Sequence, residues 1–452
     1  MDIIIAGAGK AGMTLARQLA AEKHNITLID EDRSVLDEAT EQLDAIAVCG
    51  NCASREVLLE AGIENAELVI AATNADEVNL LCCMTAHGLN DKVHTIARIR
   101  NPEYADQVMT MPEVFPLSLT VNPEKQAAME IERLLKYPGF LRRDTFAKGQ
   151  MEIVELRIDE KSKLKDVALM DLPTTVGCKV LVCAVLRQGA AMAPSGNFVL
   201  RQGDRIFVTA PTATLTTLLN NLGILTRRVR KVLIAGGGRV SFYLANLLEK
   251  DGIQVRLIDK DRARCEQLAG LLNDTDIIWG DCSHTNLLDT QGIDQVDALC
   301  SLTGMDETNM VISLYGSSRN VPQVITKLSR GGEGVIANSL PLGSVICPKE
   351  LCSSVIVRYV RAMENQTGAA ASIHMIADGQ VEAVEFLVDS SARNCGVPLK
   401  QLKLRNNVLI AGITHGTDTQ IPGGNSVFME GDTVVVVTSG RGILQNFNDI
   451  FA

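Results

Sequence analysis

Ile3-Ile4-Ile5-Ala6-Gly7-Ala8-Gly9-Lys10-Ala11-Gly12 joins a continuous apolar run to three glycines in the spacing GxGxxG. The run suits a strand buried on both faces of a parallel sheet. Behind the glycines, Leu15, Ala16, Leu19 and Ala20 fall at helical spacing. A second apolar run, Ile26–Asp30, ends in an acid about twenty residues beyond the glycines. In this pattern Gly7 permits a tight turn, Gly9 lets backbone approach a pyrophosphate, and Gly12 lets helix and strand pack closely. The helix start offers free N–H groups and its positive dipole end to phosphates. Asp30 is placed to accept from ribose hydroxyls and to repel a 2′-phosphate, which disfavours NADP.

The same text recurs 229 residues later. Val232-Leu233-Ile234-Ala235-Gly236-Gly237-Gly238-Arg239-Val240-Ser241 repeats the opening run, and Leu257-Ile258-Asp259 repeats Leu28-Ile29-Asp30. After a shift of one residue, Thr73…Asp76-Glu77…Asn79 matches Thr303…Asp306-Glu307…Asn309. Farther on, Glu155 matches Glu385, and Gly196-Asn197…Gly203-Asp204 matches Gly424-Asn425…Gly431-Asp432. Small changes of offset fit loop insertions in a duplicated ancestor.

Each half therefore reads as a Rossmann-type unit followed by a small strand-rich unit. In the first, Ala45–Cys49, Leu68–Ala72 and His94–Ile99 continue the strands. In Glu124–Tyr137, Ala127, Ile131, Leu134 and Leu135 share one helical face, and Pro138-Gly139 stops the helix. Leu351, Val355, Ile356, Tyr359, Val360 and Met363 repeat that face. Such a stripe fits core packing, and it fits a dimerisation or hinge helix. Its breadth, beyond what one small module covers, predicts a homo-oligomer of at least two chains. Met151–Ile158, Lys179–Val185 and Asp204–Thr209 read as strands, as do Val381–Val388, Val408–Thr414 and Asp432–Thr438.

The expected fold is α/β, with two Rossmann-like parallel-sheet domains, each followed by a crossover helix and a small α+β module. The expected boundaries are 1–123, 124–147 and 148–226 for the lobe, crossover segment and small module of the first half. Those of the second are 230–348, 349–377 and 378–452. Arg227-Arg228-Val229-Arg230-Lys231 reads as a solvated linker between the halves.

Gly7, Gly9, Lys10, Gly12 and Asp30 form the first candidate nucleotide site. Gly50 and Asn51 after the third strand, Thr73, Asn74 and Asp76 after the fourth, and Arg98 at the end of the fifth lie on the same carboxyl edge. Gly236, Gly238, Arg239, Asp259, Gly280, Asp281, Thr303 and Lys327 form the second. Open α/β sheets bind ligands along that edge. Thr73-x-x-Asp76 and Thr303-x-x-Asp306 fit a capping box as well as they fit a loop lining the nucleotide. The second site departs at Ser241, where the first has Gly12.

The chain has 452 residues, 43 Lys+Arg and 54 Asp+Glu, a formal net charge of −11. That balance argues against a nucleic-acid binder. No apolar run reaches the roughly 18–20 residues of a membrane span. Met1–Ile5 has no basic stretch before the glycines, so a signal peptide is not expected. Twelve unevenly spaced cysteines then read as free thiols of a reducing compartment. Cys49-x-x-Cys52 has Trp279 and Cys282 as its repeat partners, so no duplicated metal or redox motif emerges. His24, His87, His94, His284, His374 and His415 show no metal spacing.

A GxGxxG module, crossover helix and small module in tandem resembles the TrkA peripheral subunits of Trk potassium uptake systems, built from RCK (or KTN) and TrkA-C domains. The resemblance runs from Met1 to Ala452. It rests on the duplication, on Thr73…Asp76-Glu77…Asn79 with its twin, and on Asn122-Pro123-Glu124 leading into the helix. It implies a cytoplasmic, non-enzymatic regulator at the inner face of the membrane. Binding of NAD(H), ATP or ADP to a homo-oligomeric ring, dimer or tetramer, would gate a TrkH/TrkG-like potassium-translocating subunit. It also implies a divalent cation near Glu124; the second copy, Pro348-Lys349, lacks that acid. Asn51 departs from the aspartate that the family more often carries, kept here at Asp281.

The alternative from another class is an NAD-dependent oxidoreductase. It requires a general acid or base beside the nicotinamide, and the small modules share none. A redox-sensing transcription factor lacks a helix-turn-helix candidate.

Overall fold

The computed structural model describes residues 1–452 apart from 112, 137–139, 161, 223–228, 330–339, 364–369, 378, 440–443 and 445. Pro138-Gly139 and Arg227-Arg228 therefore lie outside the described residues.

Two six-stranded parallel sheets carry the halves. The first has the order β3-β2-β1-β4-β5-β6, with β1 Asp2–Ala6, β2 Asn25–Asp30, β3 Ala45–Cys49, β4 Leu68–Ala71, β5 His94–Arg98 and β6 Leu119–Val121. The chain reverses sheet direction after β3, so β1 and β4 are neighbours, with Ile5 beside Ile70 and Ala6 beside Ala71. Their carboxyl ends open the crevice in which such folds hold ligands. Helix Lys10–Ala21 buries Gly12, Leu15, Ala16 and Leu19. Complete burial of each leucine contributes about 1.5–3 kcal/mol.

Between the parallel sheets in sequence lies a five-stranded antiparallel sheet, β10-β9-β11-β8-β7. Its strands are β7 Arg142–Phe146, β8 Met151–Arg157, β9 Leu181–Arg187, β10 Ala190–Met192 and β11 Arg205–Pro211. The second parallel sheet repeats the first as β14-β13-β12-β15-β16-β17. It comprises β12 Lys231–Ala235, β13 Gln254–Asp259, β14 Thr275–Trp279, β15 Ala298–Ser301, β16 Gln323–Lys327 and β17 Ser344–Ile346. The second antiparallel sheet is β18-β19-β22-β20-β21, with β18 Ala370–Ile376, β19 Val381–Leu387, β20 Val408–His415, β21 Asp418–Gln420 and β22 Thr433–Ser439. Strands β7 and β18 fall inside stretches read from sequence as crossover segments. Their alternation is broken by Arg142, Arg143, Asp144 and His374.

The chain divides into two compact units: Met1–Ala127 with Pro348–Val360, and Ala128–Cys347 with Arg361–Ala452. In the first, Pro348–Val360 of the second-half crossover helix Pro348–Met363 is grouped with the first parallel sheet. Its Tyr359 hydroxyl is 2.8 Å from Nδ1 of His94, at the start of β5. In the second, the remainder of the first-half crossover helix Pro123–Lys136, from Ala128 on, is grouped with the second parallel sheet. Gln323, at the start of β16, donates to the Leu134 carbonyl at 2.9 Å, and Lys136 pairs with Asp251 at 3.0 Å. The halves have exchanged helices. Ile131, Leu134, Leu135, Ile356 and Val360 are all buried within one chain. This corrects the argument for an oligomer, because the apolar stripe is already covered within the chain.

Within the second unit the two small modules share a core of Phe146, Met151, Ile153 and Phe207 with Ile376, Ala383, Val435 and Val437. Asp144 and His374 occupy equivalent positions in the two copies, and they meet: Nδ1 of His374 is 2.9 Å from Oδ1 of Asp144. Burial alone would raise the Asp144 pKa. The Arg142 guanidinium, 2.9 Å away, and His374 outweigh it and hold the carboxyl well below its ordinary range. A depressed folded-state pKa contributes stability above the unfolded value and loses it as pH falls through the folded one. Asp144→Asn is therefore expected to cost about 1–3 kcal/mol near neutral pH. The gap from wild type should shrink below about pH 4. Urea unfolding at both pH values checks this, and a gap that stays constant contradicts it.

Candidate functional site

In the first lobe β1 ends at Ala6 and the chain turns at Gly7 with φ +99°. A Cβ there would lie 3.0 Å from backbone atoms of Ala72 and Thr73, so the turn is pressed against the end of β4. Gly9 precedes helix Lys10–Ala21 in extended conformation and supplies no side-chain cap. The first-turn amides are thus left for an external acceptor. A Cβ on Gly9 would meet nothing within 4 Å, so open space lies over the helix start. Gly12 is the tight contact, since a Cβ there would stand 1.9 Å from the Gly7 carbonyl oxygen. Both Asp30 oxygens already brace the turn. Oδ2 accepts from the Ala8 amide at 2.7 Å and Oδ1 from that of Asp32 at 3.0 Å. Each oxygen keeps a second lone pair for a ribose hydroxyl.

The second lobe repeats this arrangement. Gly236 turns at φ +101° against Thr303, Gly238 has nothing within 4 Å of a Cβ, and helix Arg239–Lys250 starts without a side-chain cap. Asp259 accepts from the Gly237 amide and, at 2.8 Å, from Asp261. Ser241 is fully buried and its Oγ makes no hydrogen bond. The loop therefore accommodates a Cβ where the first lobe has Gly12. Lys10 and Arg239 are exposed at the two helix starts.

Other sequence candidates act as struts. Gly50 and Gly280 are packing glycines, whose Cβ would lie 2.7 and 2.6 Å from Val57 and Leu287 methyls. Asn51 and Asp281 hold their own turns by accepting from the Ala53 and Ser283 amides, each at 2.9 Å.

No capping box forms at Thr73 or Thr303. The helices begin at Asp76 and Asp306, after Ala75 and Met305, which make no side-chain cap. Thr73 instead donates to Asn79 Oδ1 at 2.7 Å through its hydroxyl and at 2.8 Å through its amide. Asn79 Nδ2 donates to the Arg98 carbonyl at 2.9 Å. Asn309 joins Thr303 to Lys327 in the same way. These two buried amides clamp the ends of adjacent strands, and their recurrence six residues after each threonine was the available signal. Asp76 accepts from the Arg100 and Asn101 amides at 2.8 and 2.7 Å, and Arg100 also donates to the Asn74 carbonyl. Asp306 accepts from the Ser329 amide with both oxygens at 2.9 Å.

Arg98 does not stand free at the cleft. It pairs with Glu124 at 3.6 Å, and burial pulls its pKa below the ordinary guanidinium value while Glu124 opposes the shift. Lys327 Nζ donates to the Leu302 carbonyl at 3.2 Å. Among the described residues no group of three or more His, Cys, Asp or Glu is arranged to hold a metal. Burial also pushes the Cys183, Cys282 and Cys352 thiols up to about 12, leaving them protonated.

Two family models match most of this chain. The TrkA-N domain matches residues 3–112 and 232–348, and the TrkA-C domain matches 153–223 and 383–451. A Trk system potassium uptake protein TrkA homolog from Archaeoglobus fulgidus is 31% identical over 436 residues, covering 96% of this chain and 97% of its own. The chain belongs to the TrkA family. The TrkA of Vibrio alginolyticus is 28% identical, with 100% of this chain and 98% of that one covered. Among solved structures, the GsuK RCK domain aligns with a TM-score of 0.61 at 17% identity, over 97% of this chain and 92% of that one. The GsuK channel bound to NAD aligns with a TM-score of 0.59 at 18% identity, over 97% and 77%. These two likenesses show the RCK fold shared with the TrkA family. Among the described residues no helix is long and apolar enough to cross a membrane.

Proposed function

We propose that this TrkA-family chain is a cytosolic nucleotide-binding regulatory subunit of a Trk-type potassium uptake system, acting without catalysis of its own. The observation that carries the reading is the duplicated cradle. Each half has a glycine turn held by an acid, an uncapped helix start, and open space over Gly9 or Gly238. NAD(H) or ATP/ADP fits both. The first-turn amides, with Lys10 or Arg239, would hold phosphates, and Asp30 or Asp259 would hold a ribose.

Binding regulates only if one conformation of the subunit takes the nucleotide more tightly than another. A tenfold difference supplies about 1.4 kcal/mol per site, and two sites per chain add. The partner is a TrkH/TrkG-like membrane subunit, at the inner face of the membrane, and the family resemblance adds a homo-oligomeric ring. Relatives named as potassium uptake proteins weigh against an oxidoreductase.

A thermal-shift and calorimetric screen of NAD, NADH, ATP, ADP and AMP tests the reading, because a ligand of the native state raises the melting temperature by mass action. Saturable binding, weakened at least tenfold in one class of sites by Asp30→Ala, is expected. Absence of binding by every nucleotide refutes it, and turnover of NADH with a carbonyl substrate would favour the enzyme.

A further inference from the structure

The two cradles differ in the charge gathered around the acid that marks the ribose. Asp30–Glu38 contains five acidic residues and one base, Arg33. The equivalent stretch, Asp259–Gln267, contains three acids and three bases: Lys260 stands where the first lobe has Glu31, and Arg264 where it has Val35. Asp281 in place of Asn51 narrows that difference by one charge.

The three bases are not equivalent. Arg262 is engaged by Glu266 at 3.0 Å and lies over the Trp279 ring, 5.6 Å from its centroid. Trp279 donates to the Lys260 carbonyl at 3.0 Å and so fixes the backbone just beyond Asp259. Arg264 alone reaches the glycine turn. Its Nε donates to the Gly237 carbonyl at 2.7 Å, and Nη1 donates to Gln267 Oε1 at 2.6 Å. Both acceptors are neutral, and among the described residues no carboxylate pairs with this guanidinium. Gly237 is also the residue whose amide Asp259 accepts. A permanent cation therefore flanks the Asp259 carboxylate, proposed above to hold the ribose, one peptide away.

A guanidinium matches a phosphate in geometry as well as charge. In a Rossmann cradle a nearby arginine accommodates a 2′-phosphate where the acid otherwise holds the 2′-hydroxyl. Asp259 opposes such a phosphate as Asp30 does, and Arg264, with Lys260, is the positive charge set against that repulsion in the second cleft. We propose that the second cleft takes an adenine dinucleotide phosphorylated at the ribose 2′ position, with Arg264 as the specificity-determining residue, while the first cleft rejects it. This rests on the reading of both cradles as nucleotide sites.

The test is calorimetry on the full chain with NADH and NADPH, and competition against NADPH by 2′-AMP, 3′-AMP and 5′-AMP. The expected result is one NADPH site per chain, displaced best by 2′-AMP. Arg264→Val, which installs the first-lobe residue, should weaken NADPH at least tenfold, and by more than it weakens NADH. Arg264→Lys should retain most of the affinity, which separates loss of charge from loss of fold. The proposal is overturned if NADPH fills two sites alike, if it binds none while NADH binds, if 3′-AMP competes better than 2′-AMP, or if Arg264→Val leaves NADPH unaffected. Failure of every nucleotide to bind would instead remove the reading of the cradles, and this proposal with it.

Discussion

Gly12→Ala is expected to disable the first cleft while its twin change leaves the second almost untouched. The added methyl would stand 1.9 Å from the Gly7 carbonyl oxygen, where non-bonded contacts need well over 3 Å. Gly7 itself lies where even a Cβ would crowd the backbone of Ala72 and Thr73, which limits how far the turn can yield. The helix start must move away from the turn, and its amides leave the position that meets phosphate. Nucleotide affinity at that site should fall more than tenfold, with about 1–3 kcal/mol of stability lost to overpacking. In the second lobe Ser241→Ala removes a buried hydroxyl without a partner. It should be neutral or stabilising by about 1 kcal/mol. Calorimetry and urea unfolding of both variants check the contrast, and equal losses in the two lobes would contradict it.

Ile131→Asp is expected to be the most destabilising single change. Ile131 is fully buried on the exchanged crossover helix. An uncompensated buried charge costs on the order of 3–5 kcal/mol, a large share of a typical 5–15 kcal/mol. Because the covering surface belongs to the same chain, the loss should not depend on protein concentration. Denaturation at 1 and 50 μM (concentrations chosen for the comparison, about fifty-fold apart) separates the possibilities. A loss that vanishes at the higher concentration would mean that Ile131 sits between chains.

The contrast between these residues shows what was legible beforehand. The glycine turns, the acids ending β2 and β13 and the duplication were readable because each depends on local spacing. The destination of the crossover helices was not. A helical stripe states how much surface must be covered and is silent on which half covers it. Strands of three residues, such as β6, β10 and β17, carry too few alternations to show a period. Thr73-x-x-Asp76 has capping-box spacing, yet the helix starts at Asp76 itself, so both side chains turn to Asn79 and the loop after β5. Arg98 reads as a candidate site residue from its place at the end of β5, and its partner Glu124 lies 26 residues away in sequence. Arg264 lies outside every motif, and only the folded turn brings its guanidinium onto Gly237.

Under the proposed function, occupation of the cradles regulates potassium transport. The direct measurement is potassium uptake, followed with rubidium, in cells whose Trk transporter lacks its own regulatory subunit and which express this chain. The wild-type chain should restore uptake. A chain with both cradles blocked, Gly9→Glu with Gly238→Glu, should accumulate to the same level and fail to restore it, since each side chain enters open space over a helix start and repels phosphate. Equal uptake with the wild-type and the blocked chain would contradict regulation through the cradles.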